Sequence, residues 1–64
     1  MTPTEIAAAR ATLGLTQAHL AAVMGLRGQA AVSEWEAGKR SPSGQSERLL
    51  RAYLAGYRPD DWPG

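Results

Sequence analysis

The sequence predicts an all-α domain of four to five helices, and three observations lead to this prediction. Apolar residues recur every three or four positions, as on one face of a helix, and nowhere alternate with polar residues as in a strand. Residues that favour helix N-termini precede these segments, and glycines follow them. With 64 residues the chain has room for a single domain, residues 1–64, with a thin core, because so small a domain buries only about 60% of its unfolded surface.

The first helix is predicted over residues 3–13. Thr2 and Glu5 have the spacing of a capping box, and Pro3 takes the first helical position, where its missing N–H costs nothing. Gly14 follows as a C-terminal stop. One face of this helix carries the residues at helical spacing, which are Ile6, Ala9, Arg10 and Leu13.

Two shorter helices are predicted next, over residues 16–24 and 29–37. Thr16 is expected to cap the first of them, and Gly25 and Gly38 are expected to end the first and the second. The apolar positions are Leu20, Ala21, Val23 and Met24 in the first helix and Val32 and Trp35 in the second.

A fourth helix is predicted over residues 43–55, with Ser43 or Ser41 as its N-terminal cap. Its apolar stripe consists of Leu49, Leu50, Tyr53 and Leu54. The tail that follows, residues 57–64, contains two aromatic residues, and we expect it to dock on the helices for that reason.

The composition excludes several kinds of function. The chain has no cysteine and one histidine, so it offers neither a disulfide framework nor a cluster of metal ligands. The sequence contains no catalytic set of a nucleophile, a general base and a residue that orients the base, so neither an enzyme nor a cofactor site is expected. No apolar stretch approaches the ~20 residues that span a bilayer, and no leader pattern opens the chain. We therefore expect a cytoplasmic binding protein without a metal, a cofactor, a membrane or a small-molecule ligand as partner.

Charge is distributed unevenly along the chain. The net charge is only +1, but all seven basic residues lie between Arg10 and Arg58, where three glutamates oppose them. Such a bias is compatible with a polyanionic partner. It is equally compatible with an ordinary solvated surface.

The second and third helices, joined by a short glycine-containing turn, have the arrangement of a helix-turn-helix unit. Two segments carry more detail: residues 13–21 read LGLTQAHLA, and residues 32–42 read VSEWEAGKRSP. They resemble the phage repressor/Cro (xenobiotic-response-element) helix-turn-helix family, whose pattern opens with Leu-Gly-Leu-Thr-Gln and closes with Ser-x-Trp-Glu-x-Gly-Lys-Arg. The resemblance covers residues 6–54 and implies a compact repressor-like bundle that binds double-stranded DNA.

The resemblance implies that the second helix crosses the DNA backbone and that the third enters the major groove by its N-terminal end. The residues that would then face the bases are Gln29, Ala30, Ser33 and Glu34. Gln29 is the best reader, because a glutamine amide bonds N6 and N7 of adenine together. Ala30 offers only apolar contact to a thymine methyl group. Glu34 either accepts from cytosine N4 or disfavours a wrong base.

The resemblance also implies phosphate contacts, by Gln17, Arg27, Lys39, Arg40 and Ser41. Arg10 and Glu36 match family positions that pair across the first and third helices. Such a pair orients the third helix more than it adds to stability, because burying two charges has a desolvation cost.

The chain departs from the family's pattern at two points. The turn from Gly25 to Gln29 is one residue longer than the family's turn, which bears on the register of the first base contacts. His19 stands where many relatives have a glutamate that completes a capping box with Thr16. That cap is weaker by ~1 kcal/mol or less as a result.

These features predict a sequence-specific DNA-binding transcriptional regulator, a repressor that acts as a homodimer on an inverted repeat near its own promoter. The residues expected to pair two copies are Leu50, Tyr53, Leu54, Tyr57 and Trp62. The same residues are almost equally suited to closing the core of a monomer. Trp35, three residues after Val32, is expected in the core rather than stacked on a base. The alternative function is an antitoxin-like or other protein-interaction module that uses the same helices.

Overall fold

The computed structural model describes residues 1–63 and contains four helices in that range, with no strand. The helices are α1 (Pro3–Leu13), α2 (Gln17–Val23), α3 (Gln29–Glu36) and α4 (Gly44–Leu54). α3 packs on α2 and on α1, and α1 also packs on α4. None of these helices is long and apolar enough to cross a membrane. The all-α prediction is confirmed, and each helix boundary lies within one residue of the predicted one.

Side-chain caps explain where three of the helices begin. The Glu5 N–H donates to Thr2 Oγ1 (3.1 Å) and the Thr2 N–H donates to Glu5 Oε1 (2.7 Å), which together form the predicted capping box of α1. Thr16 accepts from the third residue of α2 in the same manner. At α4 the capping residue is Ser43, of the two serines that the sequence allowed. α3 begins after Gly28 and has no side-chain cap.

The four helices also end alike, in a Schellman motif. In each motif a glycine with positive φ donates its N–H to the carbonyl three residues back, and the next N–H donates to the carbonyl five residues back. After α3 the glycine is Gly38 (φ 77°), which bonds to the Trp35 carbonyl, and Lys39 bonds to the Glu34 carbonyl at 3.0 Å. The chain that leaves α3 is therefore folded back onto the last turns of the same helix.

A small apolar core lies between the helices. Its members are buried and come from all four helices and from the α1–α2 connection: Ile6, Ala9, Leu15, Leu20, Ala21, Val23, Val32, Trp35, Leu50 and Tyr53. The prediction that Trp35 belongs to the core is confirmed. Leu15 was not predicted, because it lies outside the periodic segments, in the connection between two helices.

Tyr53 connects the end of the chain to the core. Its hydroxyl donates to the Val23 carbonyl at 2.8 Å, across from α4 to the end of α2. Burial raises the pKa of this phenol above its ordinary value. The Trp62 ring meets the Tyr53 ring edge-on with centroids 5.1 Å apart, and the Arg58 guanidinium lies 4.3 Å from the Trp62 centroid. The tail thus docks on α4, as its aromatic residues predicted.

An ion pair joins α1 to α3. Arg10 Nε donates to Glu36 Oε2 at 2.6 Å and Arg10 Nη2 donates to Glu36 Oε1 at 3.0 Å, which is the bidentate geometry of a strong guanidinium–carboxylate pair. Both side chains are mostly buried. The third donor, Arg10 Nη1, binds the Leu15 carbonyl at 3.1 Å. The hydrogen bond from Arg10 lowers the pKa of Glu36, and this effect outweighs the opposing effect of burial.

Replacing Trp35 by alanine tests the core. Trp35→Ala removes a large buried ring and leaves a cavity, so we expect a loss of ~3–5 kcal/mol in the free energy of unfolding. A domain of this size has little more than that in total, so the variant should be largely unfolded at 37 °C by circular dichroism. His19→Ala, at an exposed position of α2, is the control and should change stability by no more than about 0.5 kcal/mol. A Trp35→Ala variant that melts like the parent would contradict this core.

The Arg10–Glu36 pair predicts a stability that depends on pH. Because the folded pKa of Glu36 lies below its ordinary value of 4.5, its stabilisation is complete above that pH and is lost as the pH falls through the folded pKa. Glu36→Gln should therefore lower the free energy of unfolding by about 1.5–3 kcal/mol at pH 7, and this deficit should shrink below pH 4.5.

Urea unfolding at pH 7 and at acid pH measures both values. Asp60→Asn, which removes an exposed carboxylate in the tail, is the matched control for the loss of one negative charge and should change stability at pH 7 by no more than about 0.5 kcal/mol. A Glu36→Gln deficit of the same size at both pH values would show that the charge of Glu36 contributes nothing.

Candidate nucleic-acid interface

α2 and α3 form the pair that presents the candidate interface. They pack closely on each other, and the turn between them begins at Gly25, where the Leu26 N–H donates to the Ala21 carbonyl at 2.9 Å. Val32 and Trp35 turn one side of α3 into the core. The other side is open to solvent, and it carries the four residues predicted to face bases, Gln29, Ala30, Ser33 and Glu34. Gln29, Ala30 and Ser33 are exposed, and Glu34 is partly exposed.

A chain of side-chain hydrogen bonds runs from the interior to this open face. Gln17 Nε2, at the start of α2, donates to Glu36 Oε1 at 3.2 Å. Gln29 Nε2, at the start of α3, donates to Gln17 Oε1 at 3.2 Å. Both glutamine amides are thereby oriented, since each has a fixed donor or acceptor on one side. The free groups that remain are one N–H of Gln17, and one N–H and the Oε1 of Gln29.

The sequence predicted separate roles for Gln17, Gln29 and Glu36, and their connection by hydrogen bonds was not predicted. The available signal was position: each glutamine is the first residue of its helix, and the two helices are neighbours in a helix-turn-helix unit. What the sequence does not contain is the angle between the helices. That angle decides whether the two helix starts come within hydrogen-bond distance.

The residues predicted to contact phosphates fall into two groups. Arg27, Lys39, Arg40 and Ser41 are exposed in the connections before and after α3, whereas Gln17 is half-buried. Arg40 also has a partner within the protein, because its Nε lies 3.6 Å from Glu34 Oε1. The structure thus brings one predicted phosphate-contacting residue next to one predicted base-facing residue.

The predicted pairing surface needs a correction. Leu50 and Tyr53 are only 0% and 1% exposed, so they close the core of one copy and do not contribute to a surface. Trp62 is partly covered by its contact with Tyr53. The two large apolar side chains that remain exposed are Leu54 (42%) and Tyr57 (55%), at the end of α4 and the start of the tail.

The open face offers hydrogen bonds and charge. Within residues 1–63 there is no cavity and no group of three side chains that could hold a metal ion. Every buried side-chain nitrogen and oxygen in the same range has a hydrogen-bond partner. The unsatisfied donors and acceptors are therefore on the surface, and those on α3 and its flanking connections suit a ligand that carries both base edges and phosphates.

The sequence that forms these helices matches that of a known protein family. A family model described as helix-turn-helix matches residues 6–54, which run from α1 to the end of α4 and make up more than three quarters of the chain. No match was found among curated proteins or among solved structures. This range is the same as the range over which the sequence resembles that family, and the predicted family is confirmed. The chain therefore belongs to the helix-turn-helix family of the Cro/C1 type, a family of DNA-binding regulators, with α2 and α3 as the two helices on either side of the turn.

Proposed function

We propose that this protein is a sequence-specific transcriptional repressor, cytoplasmic in location, that reads double-stranded DNA with the open face of α3. The observation that carries the proposal is the hydrogen bond between Gln29 and Gln17. It holds a base-reading amide in one orientation on an exposed surface before any ligand is present. A group that is ordered in advance loses less entropy when it binds, which favours affinity and selectivity together.

The groups left free on Gln29 suit adenine. With one N–H engaged by Gln17, the second N–H remains to donate to N7 and Oε1 remains to accept from N6, which is the bidentate pattern by which glutamine reads adenine in the major groove. Ser33 lies one turn further along the same face, where its hydroxyl is placed to form a hydrogen bond with the neighbouring base. Ala30 offers its methyl group for an apolar contact. We assign base reading to this part of α3 for that reason.

Phosphate contacts are proposed for residues around both ends of α3. Gln17 keeps one N–H for a phosphate oxygen after its two internal hydrogen bonds are made. Lys39 and Ser41 follow the Gly38 turn, and Arg27 precedes α3, all of them exposed. Arg40 lies in the same connection, but its guanidinium is shared with Glu34. A repressor of this kind acts by occupying a site near a promoter, its own being the first candidate.

A homodimer on an inverted repeat completes the proposal. One module of this size covers only about 600–1,000 Å² on DNA, which gives little selectivity in a genome. A two-fold pair doubles the contacts and sets two reading helices ~34–36 Å apart on one face of the duplex. The surface proposed for pairing is formed by Leu54, Tyr57 and the exposed part of Trp62, all away from α3.

A protein-interaction module is the alternative function. It is supported by the low net charge of +1 and by the presence of a carboxylate, Glu34, on the open face of α3. The salt dependence of binding to duplex DNA separates the two functions. Neutralising phosphates releases counterions, so a DNA-binding protein loses affinity steeply as salt rises.

Two alanine variants test the assignment of roles. Gln29→Ala should weaken the free energy of binding by ~1–3 kcal/mol on a duplex that this protein has selected from a random pool. It should also relax selectivity at one base pair of that duplex. Lys39→Ala should weaken binding to selected and scrambled duplexes alike. It should also lower the salt slope, the steepness with which the logarithm of the binding constant falls with the logarithm of the salt concentration, by about one unit. Fluorescence anisotropy at several salt concentrations measures both effects. Gln45→Ala, an exposed glutamine on α4, is the matched control for the loss of an amide.

The same measurements define failure. If Gln29→Ala and Lys39→Ala lose affinity equally for every sequence, α3 is not the reading element. If the parent protein shows no salt-dependent binding to any duplex, the DNA-binding function itself is wrong for this chain.

Sedimentation tests the dimer. We expect two copies on a selected duplex that contains an inverted repeat, and we expect Tyr57→Ser combined with Leu54→Ser to reduce this to one copy with weaker binding, because the substitutions remove the exposed apolar surface. Ala55→Ser, an exposed position between them, is the matched control. One copy per duplex with the parent protein, and a footprint without a repeat, would contradict the dimer.

A further inference from the structure

We infer that Glu34 restrains Arg40 and thereby holds down the affinity of this protein for unselected DNA. The inference rests on the proposed function, since it concerns the same face of α3. In it, Glu34 is a specificity-determining residue that acts through its ion pair with Arg40 as well as through any base it meets.

Two independent contacts hold Arg40 against Glu34. The Arg40 Nε lies 3.6 Å from Glu34 Oε1. The backbone is held as well, because the N–H groups of Lys39 and Arg40 both point to the Glu34 carbonyl, at 3.0 and 3.4 Å. The turn at Gly38 therefore places the backbone of Arg40 beside the last turns of α3, within reach of the Glu34 carboxylate. Its neighbour Lys39 has the same charge and exposure but no carboxylate beside it among the ion pairs of residues 1–63.

The pair changes what Arg40 offers to a polyanion. A free guanidinium at the edge of the interface would bind a phosphate of any duplex, and such contacts carry no sequence information. A guanidinium engaged by a carboxylate must give up that partner first. It also has its charge balanced, so it releases fewer counterions on binding. Binding that depends on base contacts is then favoured relative to binding that depends on charge alone.

This arrangement also accounts for a carboxylate on a face that approaches phosphates. Alone, Glu34 would repel the DNA backbone. With Arg40 beside it the local charge is close to zero, and the cost of placing Glu34 there is reduced. The two residues therefore form one unit, and removing either changes what the other does.

A cycle of variants tests the inference on a scrambled duplex of about 20 base pairs, which is long enough for two half-sites one helical turn apart. Glu34→Gln should bind this duplex about fivefold more tightly at 0.15 M salt, with a salt slope steeper by about 0.9, the value of one added phosphate contact. In the Arg40→Ala background the same substitution should change affinity by less than about twofold, because the freed guanidinium is absent. Melting temperatures should stay the same, since both side chains lie at the surface.

Lys39→Ala is the matched control background. There Glu34→Gln should again give the gain of about fivefold, because Arg40 is still present to be freed. A gain of equal size in the Arg40→Ala background would overturn the inference, since Glu34 would then act by repelling phosphates directly. Equal salt slopes for the parent and Glu34→Gln would overturn it as well. Absence of salt-dependent binding by the parent protein would refute the proposed function, whereas the first two outcomes leave that function intact.

Discussion

The bidentate pair between Arg10 and Glu36 is the contact that relates three helices to one another. Arg10 lies on α1, Glu36 ends α3, and Arg10 Nη1 donates to the Leu15 carbonyl in the connection to α2. Glu36 in turn accepts from Gln17, the first residue of α2. Removal of one partner would leave a mostly buried charge without compensation, which costs more than the pair itself contributes. The pair therefore fixes relative orientation, a task for which apolar contacts are poorly suited because they are not directional.

The open face of α3 depends on this pair through a short series of contacts. Glu36 orients Gln17, and Gln17 orients Gln29, so the most exposed member of the series is positioned by the most buried one. The apolar core supplies the complementary constraint, since Val32 and Trp35 decide which side of α3 faces inward. Neither constraint alone gives a defined surface. Burial sets the rotation of α3 about its axis, and the polar series sets the side chains at its start.

The sequence predicted the helices well because their ends are encoded locally. Thr2, Thr16 and Ser43 cap residues three positions later, and each terminal glycine acts within five residues, so short segments contain the whole signal. The match of residues 6–54 confirms the helix-turn-helix family that the sequence predicted, while the roles of the individual site residues stay predictions. The contacts that no short segment contains were missed. Examples are the Gln17–Gln29 hydrogen bond and the burial of Leu15.

The sequence left two roles open for Leu50 and Tyr53, pairing of two copies and closing the core, and the choice could not be made from the sequence for a similar reason. A helical stripe on α4 shows which residues share a face, but it does not show which part of that face another helix covers. The neighbours of Tyr53 come from distant parts of the chain, namely Val23 at the end of α2 and Trp62 in the tail. Exposure along one stripe therefore ranges from 0% at Leu50 to 42% at Leu54.

The hydroxyl of Tyr53 has a geometric consequence for the proposed repressor. Its hydrogen bond to the Val23 carbonyl joins α4 to the end of α2, and the same ring stacks on the exposed Tyr57 with centroids 6.0 Å apart. The phenol of Tyr53 thus contacts both α2, the helix before α3, and Tyr57 of the exposed apolar surface. In the proposed dimer, a second copy that packs on Tyr57 would be connected to α2 through an aromatic ring with few degrees of freedom. The distance between the two copies of α3 would then be rigidly fixed. DNA half-sites whose spacing differs by even one base pair would fit that distance poorly.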